Sequence, residues 1–176
     1  MSLPETDIII IKGAPATGKS QTAKELANYF VKGVRLEVDN LRSMVISVDW
    51  TNQTEHINIL EISTKLTSEF YNMGFKPIII VETFSGNKIH SFYESLKTIN
   101  PIWTIGIFGL FSSEIELQNR LQMRKDDKFK DFLITRKLNE DTIKFKHQFE
   151  YQIDTTDLKS EETAKIIYDK LLQPST

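Results

Sequence analysis

The segment from Gly13 to Ser20 reads GAPATGKS, and its residue types and spacing are suited to holding phosphate. Gly13 and Gly18 allow backbone N–H groups to turn inward around phosphate oxygens, and a helix that begins near Lys19 adds positive potential there. Lys19 would bring a full charge to the outer phosphates, and Ser20 would offer its hydroxyl to Mg²⁺. The pattern predicts a nucleotide phosphate site formed by Gly13, Ala14, Pro15, Ala16, Thr17, Gly18, Lys19 and Ser20.

The remaining sequence favours ATP as the nucleotide by elimination. A guanine-specific protein normally carries Asn-Lys-x-Asp after a strand, whereas the nearest stretch here, NKIH at 87–90, lacks the carboxylate that reads guanine. Motor-type ATPases carry an acidic pair after the third strand, but here Glu82 is followed by Thr83. ATP with Mg²⁺ is therefore the expected cofactor pair.

Two acidic residues follow the next predicted strands, where ligands bind in open α/β sheets. Asp39, in VDNLR, is predicted to act as general base toward an acceptor hydroxyl, and Arg42, one helical turn on, to hold that acceptor. The alternative is that Asp39 only caps a short helix that begins near Leu41. Glu82 follows the third strand and either holds the metal or its water shell, or pairs with a nearby base.

A cationic segment lies further along the chain. Arg120 and Arg124 are four residues apart, so on a helix they project from one face. With the charged residues through Arg136 and Lys137, they predict a mobile lid over approximately 124–138 that brings cations onto a transferring phosphate. The alternative is a solvated helix face followed by a loop.

The histidines and tryptophans carry weaker signals. His56, His90 and His147 show no metal-ligand spacing and are predicted to lie at the surface. Trp50 and Trp103 are predicted to be packing residues, with the alternative that Trp50 lines the acceptor pocket.

The elements that must position these residues alternate between strands and helices. Strands are predicted at 8–11, 34–38, 78–81, 102–111 and 151–154, and helices at 19–31, 54–73, 88–98, after Ser112 or Ser113, at 139–150 and around 164–171. Residues 41–50 are left unassigned, and 124–137 are predicted to form an exposed flap. Strands that alternate with helices predict an α/β fold with a parallel sheet and helices on both faces.

The whole chain has 176 residues with 40% apolar residues, which predicts a single domain over residues 1–176. It contains no cysteine, so disulfides and thiolate metal sites are excluded. The net charge of -2 gives no general attraction to nucleic acid or to a membrane surface, and neither is expected as a partner. With no leader pattern or long apolar segment recognised, a cytoplasmic location is expected, and the oligomeric state is left open.

Taken in order, GAPATGKS, VDNLR, RLQMR and IDTTDLKSEETAKII resemble the small P-loop kinases related to shikimate and gluconate kinase. They resemble still more the ATP-binding group that includes chloramphenicol phosphotransferase and zeta toxins. The resemblance implies a three-layer α/β/α P-loop NTPase fold with strand order 2-3-1-4-5. It also implies that Asp39 contacts or deprotonates the acceptor, that Arg120 packs on adenine beside the loop 155–157, and that Arg124 reaches the phosphates.

The chain departs from shikimate kinases after the third strand, where Phe84-Ser85-Gly86 stands in place of a glycine pair. The prediction is a Mg²⁺-dependent ATP phosphotransferase that acts on a small hydroxyl-bearing molecule. Two alternatives remain at this point: a nucleoside or nucleotide kinase, and an ATP-binding regulatory module without transfer activity.

Overall fold

A computed structural model describes residues 5–125 and 129–173 of the chain. Its strands form one parallel sheet: β1 (Ile8–Gly13), β2 (Val34–Glu37), β3 (Ile78–Glu82), β4 (Ile105–Phe111) and β5 (Glu150–Asp154). Their spatial order is β2-β3-β1-β4-β5, which confirms the predicted fold class and strand order. The strand that precedes the predicted phosphate loop is therefore the central one.

Helices lie between these strands, and one more follows β5. They are α1 (Lys19–Ala27), α2 (Val38–Arg42), α3 (Gln53–Asn72), α4 (Lys88–Ile99), α5 (Glu114–Gln122), α6 (Phe132–Lys144) and α7 (Ser160–Leu171). The long α3 is closed by Gly74, which has a positive φ of 80°, as glycine at a helix end commonly does.

Both faces of the sheet are covered because successive strand residues point to opposite sides. Ile8 and Ile10 of β1 belong to an apolar cluster with residues of α2, α3 and α4, including Val38, Leu60 and Phe92. The alternate residues Ile9 and Ile11 belong to a second cluster with α1 and α7, whose buried members are Ala23, Leu26, Ala164 and Ile167. Continuous apolar strands of this kind are expected where helices cover a parallel sheet.

The predicted end of the first helix is wrong. α1 ends at Ala27, and the next N–H groups bond three residues back, from Tyr29 to Leu26 and from Phe30 to Ala27. Gly33 does not cap this helix. A Cβ at Gly33 would lie 2.7 Å from the Pro77 carbonyl oxygen, so glycine is required there for close passage beside β3.

The fourth strand also begins later than predicted, at Ile105 rather than 102. The preceding residues turn instead, with the Trp103 N–H donating to the Asn100 carbonyl. Trp103 itself is buried, as predicted, and packs edge-on against Tyr71 with the ring centroids 5.3 Å apart.

The predicted exposed flap over 124–137 and the predicted helix over 139–150 are each right only in part, because one helix, α6, runs from Phe132 to Lys144. α6 begins at Phe132, after Asp131 accepts a hydrogen bond from the Ile134 N–H at 3.0 Å. Its buried residues are Thr135, Asn139 and Thr142, which are polar, so apolar periodicity could not reveal the helix. Residues 126–128 of the predicted lid lie outside the described residues.

Candidate active site

Residues 13–20, the predicted phosphate loop, join β1 to α1 in a tight backbone turn. Gly18, before α1, has a φ of 92° and contributes no side-chain cap, so the first N–H groups of α1 remain available to an anion. Gly13 is required for close packing, because a Cβ there would lie 2.6 Å from Thr17 Oγ1 and 2.7 Å from the Leu110 carbonyl oxygen. The Thr17 hydroxyl donates to the Ala14 carbonyl at 2.8 Å and holds the turn together.

Lys19 lies at the start of α1, half-buried, with its Nζ 3.4 Å from the Ala14 carbonyl oxygen. Burial lowers the pKa of Lys19, and the nearby carboxylates of Asp39 and Glu82 offset that effect only in part. The topology agrees with this, because Lys19, Asp39 and Glu82 lie at or just after the carboxyl ends of the adjacent parallel strands β1, β2 and β3.

Asp39 is the second residue of α2, and Glu37 occupies the N-cap position. The capping alternative for Asp39 is therefore wrong. Although the residue is exposed, the protein packed around its carboxylate and the negative charge of Glu82 raise its pKa. Such a carboxylate accepts a proton more readily than an ordinary surface aspartate.

Glu82 is the last residue of β3 and is buried. Its Oε1 accepts from the Thr83 N–H at 2.6 Å and lies 3.6 Å from His56 Nε2. Burial alone would raise the pKa of Glu82, but the hydrogen bond and charge of His56, together with Thr83 and Lys19, lower it. Glu82 is thus held as a carboxylate.

Glu82 does lie beside a base, as one of its two predicted alternatives had it: the buried His56 and the half-buried Lys88 form a row with it, and the sequence had identified neither residue. His56 Nδ1 is 2.9 Å from Lys88 Nζ, which also donates to Gln53 Oε1 at 2.6 Å and Ser85 Oγ at 3.1 Å. The surface prediction for His56 is wrong. It lies one turn before Ile59 and Leu60 on the buried stripe of α3, a spacing that could have identified it.

The surface prediction is also wrong for His147, which is buried, while His90 is half-buried. The His147 ring lies 4.4 Å from that of Tyr93 and 5.0 Å from that of His90, centroid to centroid. His147 is far in sequence from Tyr93 and His90, so no local sequence pattern could predict these contacts.

Arg42 is buried and its guanidinium is occupied by its own chain. Nε donates to Glu55 Oε1 at 3.1 Å, and Nη2 donates to the carbonyl oxygens of Asp49 at 2.7 Å and Asn52 at 3.1 Å. The guanidinium carbon also lies 5.0 Å from the centre of the exposed Trp50 ring. Arg42 thus organises the loop between α2 and α3.

A cleft of about 440 Å³ lies between α1, α5 and α7, next to Thr17 and Gly18 of the predicted phosphate loop. Arg120 lines it with Thr17, Gly18 and Thr155. Its guanidinium is fixed by Glu116 Oε1 at 2.7 Å and by the carbonyl oxygens of Thr155 at 2.5 Å and Thr156 at 3.3 Å. The cleft continues directly from the phosphate loop and has room for a nucleoside.

Arg124 lies half-buried after α5, and its Nη1 donates to the Phe129 carbonyl oxygen at 3.0 Å. Its positive charge contributes to lowering the pKa of Lys19, so the two cations interact electrostatically. Arg136 is exposed and lies 3.9 Å from a Glu114 carboxylate oxygen and 3.8 Å from one of Glu140.

The oxygen ligands available here fit a Mg²⁺ ion that is also bound by phosphates. Ser20 is exposed beside Lys19, and Glu82 Oε2 is buried with no hydrogen-bond partner. Among the described residues, no group of three or more histidines, aspartates or glutamates could bind a metal by itself. Mg²⁺ commonly keeps several waters and takes only one or two carboxylates together with substrate phosphates, which suits this arrangement.

Comparison with protein-family models and with curated protein sequences finds no match. Solved structures do match. The Deinococcus radiodurans tunicamycin resistance protein is 18% identical with a TM-score of 0.64, and the match covers 95% of this chain and 96% of that one. An Acinetobacter baumannii shikimate kinase, solved with shikimate, is 14% identical with a TM-score of 0.62, over 96% of this chain and 94% of that one.

A third match is the Mycobacterium tuberculosis APS kinase, solved with AMPPNP and APS. It is 13% identical with a TM-score of 0.66, and the match covers 97% of this chain and 99% of that one. At such identities the likeness establishes the fold and leaves the reaction open. The chain therefore has the fold of the small P-loop kinases.

Proposed function

We propose that this protein is an ATP-dependent phosphotransferase that moves the γ-phosphate of ATP to a hydroxyl of a small molecule. The observation that carries the proposal is the meeting of Lys19 with Asp39 and Glu82 at the carboxyl ends of β1, β2 and β3. A phosphate loop alone would serve any nucleotide-binding protein. A carboxylate with a raised pKa facing that loop is the group that transfer to a hydroxyl needs.

The proposed reaction assigns a role to each side chain. Lys19 and the loop N–H groups hold the β- and γ-phosphates. The acceptor oxygen forms a bond to the γ-phosphorus, the bond from that phosphorus to the ADP oxygen breaks, and the acceptor proton passes to an Asp39 carboxylate oxygen. Arg124 neutralises charge on the transferring group, and Arg120 borders the nucleoside cleft.

Ser20 and Glu82 are the residues that would hold Mg²⁺, directly or through its waters. The ion, when bound, neutralises phosphate charge and orients the phosphates for in-line transfer. His56, Thr83 and Lys19 keep Glu82 ionised, the Thr83 N–H holds its carboxylate, and Lys88 contacts the other nitrogen of the His56 ring.

Two alternatives remain. A nucleotide kinase would need cations for the acceptor phosphate, and Arg42, which is the only arginine between 40 and 60, is bound within its own loop. A regulatory ATP-binding module would need neither Asp39 nor its raised pKa. Both observations favour transfer to a small alcohol.

Substitution of Asp39 separates a kinase from a regulatory module. We expect Asp39→Asn to bind Mg·ATP as tightly as the parent protein and to lose transfer by a factor on the order of 10² or more, because the general base is gone. Transfer is measured as gain of one phosphate in a pool of hydroxyl compounds. Asn40→Ala, the exposed neighbour in α2, is the matched control and should keep its turnover.

Substitution of Lys19 tests the phosphate site itself. Lys19→Ala should weaken Mg·ATP binding, measured by calorimetry, because the outer phosphates lose their cation. Unchanged binding in Lys19→Ala would contradict the phosphate-site assignment, and unchanged turnover in Asp39→Asn would contradict the base.

A further inference from the structure

Lys88, the first residue of α4, holds two segments of the chain that both reach Glu82. Its Nζ lies 2.9 Å from His56 Nδ1, and it donates to Gln53 Oε1 at 2.6 Å and to Ser85 Oγ at 3.1 Å. An ammonium group has three N–H donors, so these three contacts use all of them. The half-buried Lys88 thus joins α3 to the loop that follows β3.

The contact with Lys88 determines how the His56 ring faces Glu82. An ammonium group has no acceptor, so Nδ1 of the ring accepts from Lys88 and the ring presents its N–H at Nε2. Nε2 lies 3.6 Å from Glu82 Oε1, and the histidine itself is buried on α3. At that separation the N–H attracts Oε1 electrostatically and favours the orientation in which Oε1, rather than Oε2, faces α3.

The residues that follow Glu82 hold the same carboxylate oxygen. The Thr83 N–H donates to Oε1 at 2.6 Å. Phe84, the next residue, has a φ of 52°, and its buried ring packs against Phe92 with the centroids 5.0 Å apart. A non-glycine residue persists in this left-handed region where its surroundings fix it. Lys88 bonds the following residue of the same loop, so it supports this contact as well as the one from His56.

Two contacts on Oε1 leave Oε2 as the available oxygen of Glu82. Oε2 is buried and has no hydrogen-bond partner among the residues that the structure describes. A buried carboxylate oxygen without a partner costs free energy, so a cation or its water would be favoured at this atom. Glu82 ends β3, which lies next to β1 and hence beside the strand that leads into the predicted phosphate loop.

We propose that Lys88 and His56 are positioning residues for the divalent cation that binds with the nucleotide phosphates. They hold Glu82 so that Oε2 stays free for the cation or for one of its waters, and they touch neither the cation nor the nucleotide. Removal of such outer-shell partners commonly weakens metal binding about 10- to 100-fold. The inference rests on the proposed function, because it takes the phosphate loop and the role of Glu82 from it.

The test measures the affinity of the whole chain for ATP by calorimetry, with Mg²⁺ and in EDTA without it. The ratio of the two dissociation constants is the cation-dependent gain. We expect Lys88→Met and His56→Leu to bind ATP in EDTA nearly as tightly as the parent protein and to reduce the gain about tenfold. His56→Gln, whose amide N–H can take the place of the Nε2 N–H, should restore part of the gain.

A double-variant cycle separates positioning from a general loss of structure. If Lys88 acts through Glu82, adding Lys88→Met to Glu82→Gln should reduce the gain no further, whereas a structural defect would reduce it again. Lys97→Met is the matched control and should keep the parent gain. Lys97 lies near the other end of α4 and is likewise engaged, with the Trp103 carbonyl oxygen at 2.6 Å. Lys88→Met carries the test if the buried His56→Leu variant does not fold.

The outcomes distinguish this inference from the proposed function. An undiminished gain in Lys88→Met and His56→Leu would overturn the positioning role and leave the proposed function standing. A parent protein that bound ATP equally well with and without Mg²⁺ would also overturn the inference, while the phosphate loop would keep its assignment. No ATP binding by the parent under either condition would contradict the proposed function and this inference together.

Discussion

At the scale of single residues, the site holds two carboxylates whose ionisation is biased in opposite directions. The pKa of Asp39 is raised, by the surrounding protein and by Glu82, whereas the pKa of Glu82 is lowered by His56, Thr83 and Lys19 despite its burial. Pairs of carboxylates whose pKa values are pushed apart commonly divide the work of a site. Here Asp39 is suited to accept a proton and Glu82 to stay charged.

The raised pKa of Asp39 predicts a stability effect of its substitution. Because the folded protein holds this proton more tightly than the unfolded chain, stability is lost as pH rises through the ordinary aspartate pKa toward the raised value. Asp39→Asn should therefore melt at a higher temperature than the parent at pH 7. Thermal melts from pH 4 to pH 8 should show that difference shrinking as the pH falls.

Glu82→Gln provides the opposite control for that experiment. The folded pKa of Glu82 is lowered, so its carboxylate stabilises the protein above the ordinary glutamate pKa, and this contribution is lost as pH falls through the folded value. Glu82→Gln should melt lower than the parent at pH 7. Equal melting temperatures of the parent and Asp39→Asn at every pH would contradict the raised pKa of Asp39.

Ala16 predicts a second residue-scale effect. Its φ of 66° lies in the left-handed region, which costs a non-glycine residue about 1–2 kcal/mol. Glycine avoids that cost but loses about 0.5–1 kcal/mol in backbone entropy. Ala16→Gly should thus stabilise the protein by roughly 0.5–1 kcal/mol in urea unfolding.

The matched control is Ala14→Gly, two residues earlier in the same loop, where the φ is ordinary and the side chain is fully buried. This variant should lose stability, because it adds backbone entropy to the unfolded chain and relieves no strain. A loss of similar size in Ala16→Gly would show that the left-handed residue carries no strain.

At the scale of elements, a buried ion pair ties the central strand to the edge of the sheet. Lys12 Nζ of β1 lies 3.0 Å from Glu150 Oε2 of β5 and donates to the Phe145 carbonyl oxygen at 3.1 Å. Gly109 of β4 lies between them, and a Cβ there would collide with the Glu150 carboxylate. Glycine in the intervening strand is what lets the pair form.

This pair predicts an asymmetric response to substitution. Glu150→Gln should cost about 3–5 kcal/mol in urea unfolding, because Lys12 would be left as a buried charge without its partner. The double variant Lys12→Met/Glu150→Leu should recover most of that loss, since apolar side chains need no partner. Lys165→Ala, which removes the exposed pair with Asp169, is the control and should change stability by less than about 1 kcal/mol. A double variant no more stable than Glu150→Gln would contradict this account.

At the scale of the whole molecule, the proposed nucleotide would join the central strand to three helices that are distant in sequence. Its phosphates would lie between β1 and α1, and its nucleoside in the cleft bordered by α5 and α7.

Within the part of the chain that the structure describes, no helix is both long and apolar enough to cross a bilayer.

Binding that links several elements predicts a global rise in stability. Mg·ATP at about 100 times its dissociation constant should add about 2.7 kcal/mol to the free energy of unfolding, measured by thermal or urea unfolding. Lys19→Ala should lose this gain, whereas Asp39→Asn should keep it because Asp39 is assigned to the acceptor. A ligand-induced gain that Lys19→Ala retained would place the nucleotide elsewhere.

The sequence by itself determined the parallel α/β arrangement and the positions of Asp39, Glu82 and Arg120 near strand or helix ends, and it predicted a phosphate loop between the first strand and the first helix. These features are encoded within short segments: glycine spacing, apolar strand runs and helical stripes act over about ten residues. The strand order came from the resemblance of four motifs to known kinases, since no local pattern states which strands are neighbours.

Only the tertiary structure decided how the polar residues are used. His56 meets Lys88 across 32 residues of sequence, and Arg42 binds carbonyl oxygens up to ten residues ahead, so neither contact follows from local periodicity. The first half of α6 was missed because its buried side is polar, and Asn139 bonds both the N–H and the carbonyl oxygen of Ser112. Hydrogen bonds formed between distant segments leave no periodic pattern in the sequence. These bonds determine which polar side chains of this site are already paired within the chain.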